Sequence, residues 1–106
     1  MEIVAYLEQA VASQASDLFI VAGGPVSIKQ EGHIRFIGEE RLLPPKTKLL
    51  ISEIYQLAER AMDDYLQQGD DDFSFAIPAL ARFRVSAYRQ RGSLAAVVRV
   101  VSFQIP

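Results

Sequence analysis

From Asp72 to Val101 the chain reads DFSFAIPALARFRVSAYRQRGSLAAVVRVV, and apolar and polar residues alternate through most of it. A period of two puts alternate side chains on opposite faces, so these residues fit strands with one buried and one open side, and not a helix. Phe73, Phe75 and Ile77 point one way and Asp72, Ser74 and Ala76 the other, until Pro78 ends the run. Phe83, Val85 and Ala87 then form a second core row, with Arg82, Arg84, Ser86 and Tyr88 behind it. After the polar run Arg89-Gln90-Arg91, a Gly92-Ser93 pair suits a tight two-residue turn, and a third strand begins near Leu94. If Arg91 pairs with Leu94, Arg99 faces Ser86 and lies diagonal to Arg84 on the same side of the sheet. Diagonal partners are roughly 7–8 Å apart at the backbone, a span two guanidinium groups can close around one phosphate. A loop one residue longer or shorter would put the two arginines on opposite faces.

Charge singles out the same ribbon. Arg82, Arg84, Arg89, Arg91 and Arg99 fall within 18 residues that contain no acid, a window of +5. The remainder carries six Lys or Arg against thirteen Asp or Glu, a balance of −7. A chain of net −2 that concentrates its arginine in this way has a local site for an anion or an acidic partner, rather than a general attraction to polyanions. The alternation is equally that of a half-buried strand whose arginines face water, and composition alone leaves both readings open.

The rest of the chain supplies the elements that cover the sheet. Ile3, Val4, Leu7, Ala10 and Val11 make one apolar stripe and predict a helix over 1–14, with Glu2 suited to its positive end. A strand is expected over 15–22, broken by Gly23-Gly24-Pro25, and a hairpin over 26–37 that turns at Glu31-Gly32-His33. No Lys-Ser or Lys-Thr follows the glycines, so this is a turn and not a phosphate-binding loop. Pro44-Pro45 opens a second helix, with Leu50, Ile54, Leu57, Ala58 and Ala61 as its core stripe and Leu49, Ile51 and Tyr55 alongside. Asp63 is expected to cap a short helix closed by Gly69. The order of elements implies an α+β domain, an antiparallel sheet of about six strands with helices packed on one face.

Several chemistries are unsupported by the residues present. The chain has no cysteine, hence no disulfide, thiol nucleophile or thiolate metal site. His33 is the sole histidine and sits at a turn without a second ligand, so it reads as a surface residue. Asp70-Asp71-Asp72 lacks the alternating oxygens and distal glutamate of a calcium loop, and reads as a solvated turn. Met1-Glu2 is not the basic start of a signal peptide, and no apolar run approaches a membrane span, so a cytoplasmic chain is expected.

The residues Asp72-Phe-Ser-Phe-Ala-Ile-Pro78, Ala81-Arg-Phe-Arg-Val-Ser-Ala-Tyr88, Arg91-Gly92 and Val98-Arg99 closely resemble the end of the N-terminal, PAS-like domain of type IV pilus retraction ATPases, PilT-like members of the secretion ATPase superfamily. Ala15-Ser16-Asp17-Leu18 is similar to the same family, which usually continues with His where this chain has Phe19, and that departure removes a titratable group. The resemblance implies that residues 1–106 form a single N-terminal domain of a longer motor protein, whose linker to a C-terminal ATPase domain begins near Val101–Pro106. It further implies that Arg84 and Arg99, one on each of the last two strands, reach the terminal phosphate of ATP bound to the neighbouring motor domain. ATP and Mg²⁺ belong to the full-length protein. The 106 residues contain neither GxxxxGK[ST] nor a magnesium-binding carboxylate in its usual setting, so no cofactor and no ATP hydrolysis are expected of them alone. The implied partners are the C-terminal ATPase domain, neighbouring subunits of a homohexamer, and the pilus machinery at the inner membrane that drives twitching motility.

Two other functions compete. A stand-alone PAS-like interaction or sensor module would need a ligand-sized space between helices and sheet, which the filled apolar pattern opposes. A nucleic-acid binder built on Arg82, Arg84, Tyr88, Arg89 and Arg91 would rest on four charges and one aromatic in a chain of net −2, so no nucleic-acid partner is expected.

Overall fold

The computed structural model describes residues 1–101; the expected linker at Val101–Pro106 lies, after its first residue, outside the described residues. The elements run α1 Glu2–Ala12, β1 Asp17–Ile20, β2 Ser27–Gln30, β3 His33–Phe36, α2 Pro44–Leu57, α3 Asp63–Gln68, β4 Asp71–Ile77, β5 Ala81–Gln90 and β6 Ser93–Val101. All six strands join one antiparallel sheet in the order β3-β2-β1-β6-β5-β4. The fold is thus the expected α+β, PAS-like arrangement, with β1 and β6 at its centre and the last three strands forming a meander.

The alternation holds. On β5, Ala81, Phe83, Val85 and Ala87 are buried while Arg82, Arg84 and Ser86 are exposed. The buried row belongs to one core with Leu18, Ile20, Ile28 and Val98 from other strands and Ile3, Leu7, Leu50, Ile51 and Ile54 from the first two helices. The layer between helices and sheet is therefore packed with side chains, and Phe75 and Phe83 stack within it at 5.2 Å between ring centres.

α1 begins without a side-chain cap of its own, because Met1 offers no acceptor. Glu53 on α2 supplies one, its Oε1 accepting the Ile3 backbone N–H at 2.9 Å, and Glu2 accepts from the Lys46 ammonium at 2.6 Å. Two carboxylates thus tie the paired helices together at the positive end of α1.

The buried face of α2 is Thr47, Leu50, Ile51, Ile54 and Tyr55, rotated from the expected stripe. Helix α2 stops at Leu57 and Glu59 adopts a left-handed φ of 53°, so Ala61 is out of the helix and exposed; Leu49 is exposed as well. Asp63 is the first residue of α3 rather than its cap, Met62 holding the cap position, while Gly69 closes the helix in the left-handed conformation as expected. The acidic triplet is not simply solvated. Asp71 begins β4 on the inner face, where its carboxylate accepts two bonds from Arg60, at 2.9 and 2.7 Å, and one from the Tyr55 hydroxyl at 2.8 Å. Tyr55 in turn stacks on Tyr65 and packs against Phe73, whose ring the Arg60 guanidinium overlies. This cluster fixes the end of α2 to the sheet edge.

Candidate functional site

The open face of the sheet is set by the register of its central strands. Residues Gln90 and Ser93 pair, so the β5–β6 loop is Arg91-Gly92 and not Gly92-Ser93. Both loop residues have positive φ, 52° and 82°, the pattern of a type I′ turn, whose second position glycine fills without strain. Moving the turn by one residue shifts the register by two. The faces are kept, but the predicted diagonal is replaced: Arg99 lies directly across from Arg84, and Ser86 across from Val97. Directly opposed Cα atoms are about 4.5–5.5 Å apart, closer than the diagonal arrangement.

One transverse row therefore crosses the open face, Lys29 on β2, Asp17 on β1, Arg99 on β6, Arg84 on β5 and Ser74 on β4. Asp17 was not singled out by the sequence. It is only 8% exposed, and its carboxylate lies 3.6 Å from the Arg99 Nε while accepting the Ser16 hydroxyl at 2.7 Å. Asp72 accepts the Ser86 hydroxyl at 2.7 Å. Arg84, by contrast, has no carboxylate within salt-bridge distance among the described residues. Like charges directly opposed on a sheet repel, and one nearly buried acid beside Arg99 offsets only part of that cost.

These side chains line a shallow depression of about 410 Å³, formed by Asp17, Asp72, Arg84, Ser86, Val97 and Arg99. Each of its carboxylates accepts a serine hydroxyl, and beside them the depression presents a pair of guanidinium groups to a ligand. Planar forked donors suit a tetrahedral oxyanion such as a phosphate. Among the described residues no group of three or more His, Cys, Asp or Glu is placed to hold a metal ion. Phe19 lies on the same face, half-buried, opposite Ser27 and Val97 and one row from the arginines. His33 is exposed at the start of the edge strand β3.

The remaining arginines of the ribbon do not join this group. Arg82 is on the same face one row away, whereas Arg89 and Arg91 are at the hairpin end, where the Arg89 Nη2 donates to the Leu66 carbonyl at 2.6 Å. No helix among the described residues is long and apolar enough to cross a membrane.

No family model matches the chain. It is 32% identical over 105 residues to the type IV pilus retraction ATPase PilT of Pseudomonas aeruginosa and 31% identical over 106 residues to the type IV pilus ATPase PilU of the same organism. Those alignments take in 99% and 100% of this chain but only 30% and 27% of the relatives, so the chain spans less than a third of their length. Among solved structures, the pilus retraction motor PilT with bound ADP superposes with a TM-score of 0.81 at 32% identity, over 98% of this chain and 30% of that one. The Legionella pneumophila ATPase DotB follows with a TM-score of 0.71 at 25% identity, over 98% and 28%. The VirB11 ATPase of Brucella suis, at 13% identity over 100% of this chain and 34% of that one, shares the fold with a TM-score of 0.58.

Proposed function

We propose that the chain belongs with the N-terminal, PAS-like domains of PilT-like ATPases in the secretion ATPase superfamily and is the coupling domain of a type IV pilus retraction motor. In this reading residues 1–106 are followed by a C-terminal ATPase domain that carries the phosphate-binding loop. ATP and Mg²⁺ bind there, and the metal is held by none of the residues described above. The domain carries the two arginines on an open face. When it swings onto the motor domain, Arg84 and Arg99 close on the terminal phosphate and offset the negative charge that develops as the phosphoryl group transfers. Loss of that phosphate removes the anion between two like charges, and the domain moves away. Nucleotide state is thereby converted to rigid-body motion. Copies of the protein would act as a cytoplasmic homohexamer at the inner membrane, pulling on pili during twitching motility.

The observation that carries this reading is the direct opposition of Arg84 and Arg99, with Asp17 steadying one of them and, among the described residues, no carboxylate within salt-bridge distance of the other. The test is steady-state ATP turnover by the full-length parent. Arg84→Ala or Arg99→Ala should keep most of the nucleotide affinity and lower turnover by about tenfold to a thousandfold, as for lost transition-state donors. Arg82→Ala, one row away, should change it little. Unchanged turnover in both of the first two variants would remove the phosphate role.

A further inference from the structure

The hairpin end of the sheet carries a second cationic surface that the phosphate site does not use. Arg89 and Arg91 stand five and seven residues beyond Arg84, roughly 17 Å or more along the strand, too far to share its ligand. The fold brings Arg41 and Lys48, from either side of the start of α2, to the same end. Two depressions flank the tip and share Pro44 and Ser93 between them. One, of about 300 Å³, holds Arg41 and Arg91; the other, of about 430 Å³, holds Lys48, Arg89 and Leu66. No carboxylate lines either of them. Four of the chain's eleven Lys and Arg residues thus converge in a protein of net −2.

Apolar surface accompanies the charge. Leu43 is 63% and Leu66 41% exposed, and both border these depressions. Local folding does not require the cation at position 91. The first place of a type I′ turn favours asparagine, aspartate or glycine, and a left-handed φ of 52° is an unfavourable setting for arginine.

We propose that this end of the domain is a docking surface for an acidic peptide segment of a partner protein, one that carries aspartate or glutamate on either side of an apolar residue. Its carboxylates reach Arg91 with Arg41 on one side and Lys48 with Arg89 on the other, and the apolar residue rests on Leu66 and Pro44. Arg89 supports a peptide over a lipid surface: its guanidinium is anchored to the Leu66 carbonyl inside the depression instead of projecting towards a plane of headgroups. Two cation pairs separated by a proline ridge suit an extended ligand better than a single small anion. This surface is independent of the nucleotide reading.

The test is fluorescence anisotropy of the 106-residue chain with a fluorescein-labelled peptide of mixed Glu and Leu, compared with a polyglutamate peptide of equal length. The Glu/Leu peptide should bind, weaken as salt rises, and exceed polyglutamate several-fold. The double substitution Arg91→Asn with Lys48→Gln, chosen because neither side chain makes a hydrogen bond among the described residues, should weaken binding roughly tenfold or more. Arg84→Ala with Arg99→Ala should leave it within about twofold. Binding that survives the hairpin-end substitutions, or that is lost equally in the Arg84 and Arg99 variant, would overturn the proposal. So would equal affinity for polyglutamate, or tighter binding of the chain to phosphatidylserine vesicles than to the peptide.

Discussion

Asp17 lies directly opposite Arg99 in the β1–β6 ladder, its carboxylate 3.6 Å from the Arg99 Nε, at the one point among the described residues where an acid forms an ion pair with either arginine. Because Asp17 is nearly buried and Arg99 is well exposed, the contact orients the guanidinium more than it stabilises the fold. Asp17→Asn should therefore cost the isolated domain only about 0.5–1 kcal/mol in urea denaturation. In the full-length parent it should lower turnover with little change in nucleotide affinity, since a loosened Arg99 loses preorganisation. A large loss of stability with normal turnover would make Asp17 a purely structural residue.

The Tyr55–Asp71–Arg60 cluster is the main polar contribution to the packing of α2 on the sheet. Asp71→Ala would leave the buried Tyr55 hydroxyl without its acceptor and Arg60 without its partner, at a cost of about 2–3 kcal/mol by chemical denaturation. A change below about 0.5 kcal/mol would show that water replaces the carboxylate without penalty.

The same cluster predicts a pH dependence. The Arg60 guanidinium, and then the Tyr55 hydroxyl, hold the Asp71 carboxyl below its ordinary value against the opposing effect of burial. A depressed folded value means that the unfolded chain binds the proton more readily. Asp71 thus contributes stability above the usual aspartate range, near pH 4, and loses it as pH falls through the lower folded value. Denaturation midpoints of wild type and Asp71→Asn should differ at neutral pH and converge in acid, once pH has fallen below the depressed folded value. A gap that persists in acid would mean the carboxylate charge is not what stabilises this contact. Burial, with the Asp71 hydrogen bond, drives Tyr55 strongly upward, so the fold should also weaken as pH rises above the ordinary tyrosine value, near 10.

Phe83 is 1% exposed and Phe75 8%, and the two rings stack. Either one replaced by alanine should cost about 3–5 kcal/mol, the larger loss at Phe83. Arg91→Asn is the opposite case. It places a residue that tolerates left-handed backbone where the turn needs one, and thermal melting should show an unchanged or slightly higher midpoint. A clearly lower midpoint would mean that Arg91 makes a stabilising contact at the hairpin end.

Local pattern carried the strands: Phe73, Phe75, Phe83 and Val85 face the core because a period of two leaves them no other side. It also placed Arg84 and Arg99 on one face, since the faces survive any even shift in register. It could not fix their exact pairing, because Arg91-Gly92 and Gly92-Ser93 are both plausible turns and the choice rests on which residue accepts positive φ. Asp17 was invisible as a site residue for a different reason. It meets Arg99 across 82 positions of chain, and only the sheet order that sets β1 beside β6 creates the contact. Asp71 was misread with its neighbours because its partners come from distant chain, Tyr55 from a helix whose buried face is rotated from the expected stripe and Arg60 from the turn just beyond it. Arg41 and Lys48 join the hairpin end for the same kind of reason, through tertiary placement.

The most direct measurement is a double-substitution cycle on ATP turnover in the full-length parent, with Arg84→Ala, Arg99→Ala and both together. If the two arginines act as one clamp on the terminal phosphate, each single change removes most of the effect and the double variant is little slower than the worse single one. Three variants that turn over ATP at the wild-type rate would contradict the central claim, and additive losses would mean that Arg84 and Arg99 do not share a phosphate.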